Sequence, residues 1–451
     1  MPRSRLRPLM ADELRRFEDL HPRSGSLFAR ARDSMLAGVP MPWMAEWAGS
    51  YPVFVSSASG ARVEDVDGRS YVDLCLGDTG AMAGHSPPAT VAAVASAASR
   101  GITTMLPTED SIWVGEEMAR RFGLPSWQFC LTATDANRFA IRLAREITGR
   151  PKVLVFAWCY HGSVDETFVV VGPDGSARMR EDNMGPPVDP ALTTRVVEWN
   201  DASALERELS HGDVACVLAE PALTNIGIVL PSEGFHSQLR ALTRAAGSLL
   251  VIDETHTICA GPGGYTKAYG LGPDLLTIGK AIAGGVPAAC YGMSAEVAGR
   301  VQARLDDMAV TDVGGIGGTL SGNALSLAAM RATLSEVLTD DAFERMIALG
   351  ARWAGGVRDV IDEAGLPWEV QQLGARAEYW FSPTPPANGS EAAAADDHEL
   401  ARFLHLHALN RGVLLTPFHN MALMCPATTE ADVDAHTEVF REAATALTAG
   451  R

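Results

Sequence analysis

Lysine is nearly missing from this chain: of 37 basic residues, only Lys152, Lys267 and Lys280 are lysines. A guanidinium does not give up its proton, so chemistry that needs an amine of movable pKa has three candidates. Coding bias toward arginine accounts for the surface and leaves open why three lysines remain. Positive charge is scarce too. The formal net charge of −18 argues against a nucleic-acid or anionic-membrane binder, since both need basic patches. Seven cysteines (75, 130, 159, 216, 259, 290 and 425) stand singly, without a CxxC pair. That spacing speaks against a thiolate zinc site and for a reducing compartment. No window reaches the ~18 uninterrupted apolar residues of a membrane span. The first residues, MPRSRLRPLMADELRRFEDL, lack an apolar signal core. The expectation is a soluble, cytoplasmic enzyme with no metal, no nucleic-acid partner and no membrane.

What is present is ample core. Apolar residues make up 47% and charged residues 20% of 451, enough for more than one domain. Trp127–Leu131 reads as a strand, Asp135–Thr148 as a helix and Lys152–Phe156 as the next strand. Val214–Ala219, Leu249–Ile252 and Leu275–Ile278 are continuous apolar runs, the pattern of strands buried on both faces. Helical patterns at Glu233–Ala246 and Glu296–Leu305 alternate with them. The alternation predicts an α/β domain with a mostly parallel sheet between helices, spanning 60–325. Residues 1–59 and 326–451 are expected to form a smaller α+β domain from both chain ends. That domain would hold two N-terminal helices and later ones at Leu327–Leu338, Asp341–Ala364, Asp397–Asn410 and Glu430–Leu447. Residues 172–190 and 383–397 read as long surface loops, the former a lid or a disordered segment.

Two apolar runs end in chemistry. VIDETHT (251–257) places Asp253, and LLTIGKAIAGGVP (275–287) places Lys280, at the carboxyl ends of buried strands, where open α/β sheets bind ligands. A lysine amine and a buried carboxylate are the pair that pyridoxal phosphate needs: one holds the aldehyde, the other faces the pyridine nitrogen. Taken singly, a helix cap and a surface lysine explain them equally well. LTATDAN (131–137) offers backbone N–H groups of Ala133 and Thr134 at a helix start, or a plain N-cap turn. WCYHG (158–162) offers Tyr160 as a stacking face with His161 beside it, or a buried tyrosine. Glu220 in AEP, with Asn225 behind it, ends another strand, and GGIGGTLSGN (314–323) supplies Thr319 and Ser321. That glycine-rich turn is a weak phosphate signal alone.

In this order, YHG, EP, DE, GKxxxGGxP and GGTLSGN resemble the class III aminotransferases of pyridoxal-phosphate (PLP) fold type I over about residues 10–450. The glutamate-1-semialdehyde aminomutase and β-amino-acid aminotransferase branches look most similar. The resemblance implies a seven-stranded-type sheet. It makes Lys280 the cofactor lysine, Asp253 the pyridinium partner, Tyr160 the stacking ring and Thr255 the residue on the other ring face. It places Asn225 near the ring hydroxyl, with the buried acid Glu220 and His161 nearby. Thr132, Ala133 and Thr134 match the phosphate cup. Thr319 is similar to a threonine that reaches the neighbouring subunit's phosphate, implying a homodimer.

Several positions depart from the family. NSGTEA becomes LTATDA, and DEVMTG-like text becomes DETHTI, which brings His256 near the site. Where the two branches carry carboxylate-binding arginines, this chain aligns Trp43 and Phe418, and no arginine occurs in 34–61 or 412–440. Trp43, Thr79, His256 and Phe418 are therefore the expected substrate-side residues, in a mainly apolar pocket. Arg178 and Arg180 in the 172–190 loop are the alternative carboxylate partners. The leading expectation is an aminotransferase moving an amino group from an apolar or aromatic amine to a carbonyl acceptor. The alternatives are a PLP isomerase (aminomutase or epimerase) or a β-amino-acid aminotransferase on the same residues. A non-catalytic relative is the third reading, and retention of Lys280 and Asp253 argues against it.

Overall fold

The computed structural model describes residues 3–181, 183–307 and 314–449. They divide into two compact units. One comprises Met1–Pro87, Glu344–Pro385 and Ala395–Arg451; the other comprises Pro88–Phe343 and Pro386–Ala394.

The second unit is organised by a seven-stranded sheet. In chain order its strands are β1 (Ser126–Cys130), β2 (Lys152–Phe156), β3 (Thr194–Val197), β4 (Val214–Ala219), β5 (Leu249–Asp253), β6 (Leu275–Ile278) and β7 (Ala289–Met293). Across the sheet the order is β1-β7-β6-β5-β4-β2-β3. Only β7 runs against its neighbours. Helices sheath the sheet, so β4, β5, β6 and β7 are buried along their whole length. Each buried aliphatic side chain there contributes about 1.5–3 kcal/mol of transfer free energy. That is why β4, β6 and all of β5 but its last residue, Asp253, read as unbroken apolar runs. The register pairs Asp253 with Thr277 and Ala219 with Ile252, so the carboxyl ends of β4, β5 and β6 lie side by side.

The helix Ala133–Thr148 follows β1. Thr132 caps it by accepting from the Asp135 N–H at 3.1 Å, and Gly149 ends it at φ +70°. Its buried stripe is Ala136, Asn137, Ala140, Ile141, Leu143 and Ala144; one polar residue sits among five apolar ones. The 172–190 stretch is not wholly loop. Val169–Val171 and Ala177–Met179 pair as a hairpin across its start. Residues 383–397 also depart from the expected loop, because Gly389–Ala395 is helical. The cause is local: the Asn388 side chain accepts from the Glu391 N–H at 2.9 Å, and a run of alanines follows.

The first unit draws on both chain ends. Val413–Leu414 pairs in parallel with Ser70–Asp73, completing a four-stranded sheet with Val55–Ser59 and Arg62–Asp65. Glu369–Leu373, Arg376–Trp380 and Met421–Leu423 form a three-stranded antiparallel sheet. Phe17, Ala48, Tyr71, Leu406 and Leu409 make one buried cluster of this unit. The Tyr71 hydroxyl satisfies itself there against Asp65 at 2.5 Å and His21 Nε2 at 2.7 Å. Among the described residues, no helix is long and apolar enough to cross a membrane.

Candidate active site

Asp253 is the last residue of β5 and is buried. Its Oδ2 accepts from Asn137 Nδ2 at 2.8 Å and lies 2.9 Å from His161 Nδ1. Its Oδ1 accepts the Thr255 N–H at 3.0 Å. Burial alone would raise this carboxyl. The His161 hydrogen bond and charge, with Thr255 and Asn137, outweigh burial and hold it below the ordinary carboxylate range. Burial likewise works against a charged His161, but Cys159 and Asp253 carry it the other way, to about 10. Both shifts favour an imidazolium–carboxylate pair here.

Asn137 ties the arrangement to the sheet, since its Oδ1 accepts from Thr277 Oγ1 at 2.6 Å. Sequence reading passed over Asn137; the available signal was a lone amide on the apolar stripe of an amphipathic helix.

Lys280 lies two residues past β6 and opens a 3₁₀ turn, Lys280–Ala283, with φ at +54°. A side-chain-bearing residue in that region is strained, and such strain collects where a side chain must be aimed. Lys280 Nζ lies 2.8 Å from Nε2 of the buried His256. A Cβ on Gly279 would stand 3.2 Å from the backbone nitrogen of Ala133, which brings the lysine turn against the helix start. Gly162 (φ +75°) is tighter still; a Cβ there would come within 2.0 Å of Thr134 Oγ1. Thr134 Oγ1 also accepts the Ser163 N–H at 3.1 Å. Thr132, Ala133 and Thr134 therefore sit where the turns after β2 and β6 meet a helix N-terminus, whose first N–H groups lack intrahelical partners.

Tyr160 follows β2 and is partly exposed. Its N–H donates to Glu220 Oε1 at 3.2 Å, and its ring stands edge-on to Phe168 at 5.9 Å. Glu220 is buried at the end of β4; burial pushes its carboxyl up, against the His161 charge and the Thr224 hydrogen bond. Thr224, not Asn225, engages it, through both its N–H (3.1 Å) and its hydroxyl. Asn225 lies half-buried in a small bridge to Gly227. Thr319 is exposed, in the turn before the helix Ala324–Ala332.

Trp43, Thr79 and Phe418 belong to the other unit. Trp43 and Phe418, 47% and 51% exposed, meet edge-on with ring centres 6.4 Å apart. Thr79 is buried at φ +82°, beside Asp78 at φ +47°. Asp78 Oδ1 lies 3.2 Å from Nη2 of the fully buried Arg376, a cation the sequence reading did not single out.

The two loop arginines part company. Arg178 is exposed and 4.0 Å from Asp174. Arg180 is packed, its guanidinium carbon 5.5 Å over the Trp158 ring and 5.7 Å over Phe168, with Nη2 donating to the Cys159 carbonyl. Its Nε is buried with no partner among the described residues.

These residues suit a pyridine cofactor bearing a phosphate. A buried anion stands at the centre, an amine on the neighbouring strand, and a helix start beside both. Thr255 Oγ1 and His161 Nε2 are buried with no hydrogen-bond partner among the described residues, leaving polar atoms for a ligand to meet.

Comparison with known proteins agrees. The class-III aminotransferase family model matches residues 43–443. The glutamate-1-semialdehyde 2,1-aminomutase of Desulfitobacterium hafniense is 34% identical over 426 residues, 93% of this chain and 97% of that protein. A glutamate-1-semialdehyde aminomutase of Pseudomonas aeruginosa PAO1 superposes with a TM-score of 0.97 at 52% identity, covering 99% of both chains. A variant of that protein has been solved in complex with PMP. An omega-transaminase of Sphaerobacter thermophilus superposes at 0.84 with 28% identity, over 94% of this chain and 97% of its own. The chain belongs to the class III aminotransferase family, has PLP fold type I, and takes pyridoxal 5′-phosphate as its cofactor.

Proposed function

We propose that the enzyme is an aminomutase-type isomerase, which relocates an amino group within one small amino-carbonyl acid of the glutamate-1-semialdehyde kind. The observation that carries this reading is the 52% identity over 99% of both chains to the Pseudomonas aeruginosa aminomutase. The curated relatives at 33–36% identity bear the same name. They favour the isomerase, held above as the alternative, over transfer to a separate acceptor.

When bound, pyridoxal 5′-phosphate supplies an electron sink for the pair left when a proton leaves the carbon bearing nitrogen. The chain's own residues do the rest. Asp253, kept anionic by His161 and Asn137, would hold the ring nitrogen in its protonated form. Lys280 Nζ would hold the cofactor and, once displaced, would carry protons to and from the substrate carbon that bears nitrogen. Tyr160 and Thr255 would flank the ring, and the Ala133 and Thr134 N–H groups would receive the phosphate. Arg180 is the cation for the substrate's acid group. It lies in the same unit as Lys280, its guanidinium packs on the Trp158 and Phe168 rings, and its buried Nε has no partner among the described residues.

One observation favours a second reading. The half-exposed Trp43–Phe418 pair, where related branches carry arginines, suits an apolar amine donor and an aminotransferase. A single experiment separates the two. Holoenzyme is given glutamate 1-semialdehyde with no added acceptor, and in parallel an arylalkyl amine with pyruvate. The isomerase reading expects the isomeric amino ketone from the first mixture; turnover confined to the second rejects it. Borohydride reduction with peptide mapping tests the lysine: the label belongs on Lys280, and a label on Lys152 or Lys267 refutes the assignment.

A further inference from the structure

His256 follows Asp253 by three residues and precedes the 3₁₀ turn Thr257–Ala260, which fixes its backbone. Its partner Lys280 is fixed by a turn of its own and a left-handed backbone. A nitrogen–nitrogen contact of 2.8 Å between these two side chains requires a proton in it. Either an ammonium donates to a neutral imidazole or an imidazolium donates to a neutral amine. Two cations at this separation repel, so the pair favours one proton held in common.

The two carboxylates just before His256 in the chain have partners of their own. Glu254 accepts from Thr257 Oγ1 at 2.6 Å and from the Tyr265 N–H at 3.1 Å. Asp253 is engaged by Asn137, Thr255 and His161.

We propose that His256 is a positioning residue for Lys280, which holds the displaced amine in place through a shared proton and so keeps that proton from solvent between its removal from one carbon and its return to another. The proposal rests on the isomerase reading and on Lys280 as the cofactor lysine. Electron and atom balance is simple. The C–H electron pair would pass into the bound cofactor as the proton goes to Lys280 Nζ; the proton is shared with His256 Nε2, and Nζ returns it to the carbon at the other end of the same C–N unit, so nothing is consumed.

The scarcity of lysine makes the test direct. Holoenzyme converted to its pyridoxamine form and labelled at the lysine ε-carbons gives three side-chain NMR signals, assigned with Lys152→Arg and Lys267→Arg. In the wild type, the Lys280 signal should move in two steps as pH rises, both belonging to the pair and neither to one member alone. In His256→Gln, which keeps polarity and loses the proton site, it should move in one. The kcat for isomerisation should fall about 10–100-fold in His256→Gln, with KM changed less than about threefold. His256→Met should behave alike; if it does not fold, the glutamine variant still decides. A single-step wild-type titration that superposes on the variant's, or a kcat within twofold, overturns the proposal. A borohydride label on another lysine would instead overturn the Lys280 assignment and this proposal with it.

Discussion

At the level of single residues, Asp253 and His161 face each other at the centre of the candidate site, and each carries a pH signature. His161 is held up to about 10 by its neighbours, so its protonation stabilises the fold below its unfolded value of about 6.5 and is lost as pH climbs toward 10. Asp253 is held down, so its contribution is present above about 3.9 and disappears as acid titrates it in the folded state. His161→Gln should therefore lower the melting temperature near neutrality and flatten its decline through the alkaline window. A melting curve series from about pH 6.5 to about 10 checks this, and an unchanged alkaline slope contradicts it. Arg180 is tested by substrate. Removing a charged hydrogen-bond partner costs about 1.5–3 kcal/mol, roughly a 10–100-fold loss. Arg180→Met should raise KM by that factor for carboxylated substrates and leave simple amines unchanged. Equal effects on both would show that its stacking on Trp158 and Phe168 matters and its charge does not.

Elements matter through how closely they meet. Gly162→Ala places a carbon on Thr134 and also forces a side chain into φ +75°. Gly123→Ala is the matched control, since φ is +77° and nothing lies within 4 Å. The left-handed backbone costs both variants about 1–2 kcal/mol. Only Gly162→Ala should also weaken retention of pyridoxal 5′-phosphate, read by dialysis and the visible absorbance that remains.

The same scale explains what the sequence could tell. β4 and β6 are legible residue for residue, because strands buried on both faces need unbroken apolar runs. β3, with Thr194 and Arg195, and β7, with Gly292 and Tyr291, break that pattern and were passed over. Lys280 and Asp253 stood out because a scarce residue and a charge each follow an apolar run. Asn137 did not, because its partners Asp253 and Thr277 lie more than a hundred residues away, and only the register of β5 on β6 brings those two together.

At the scale of the whole molecule, the question is whether one chain makes a complete site. Thr319 sits in an exposed turn whose following residue, Leu320, is also exposed. The Ala324 N–H at the end of that turn donates to the Ile102 carbonyl at 3.1 Å. Ile102 leads into Met105 and Leu106, 80% and 73% exposed. Exposed apolar side chains tied to the turn that carries Thr319 suit a face covered by a second copy of the chain. If Thr319 completes the partner's phosphate site, a Lys280→Ala chain paired with a Thr319→Ala chain holds one wild-type site and one doubly altered site. Random re-pairing makes half of all dimers mixed, so activity should recover to about a quarter of the wild-type value. If Thr319 serves its own chain, no site in the mixture is whole, and activity stays at the average of the two parents. Measuring the mixture after dissociation and reassembly, beside each parent treated the same way, separates these outcomes without knowledge of the natural substrate.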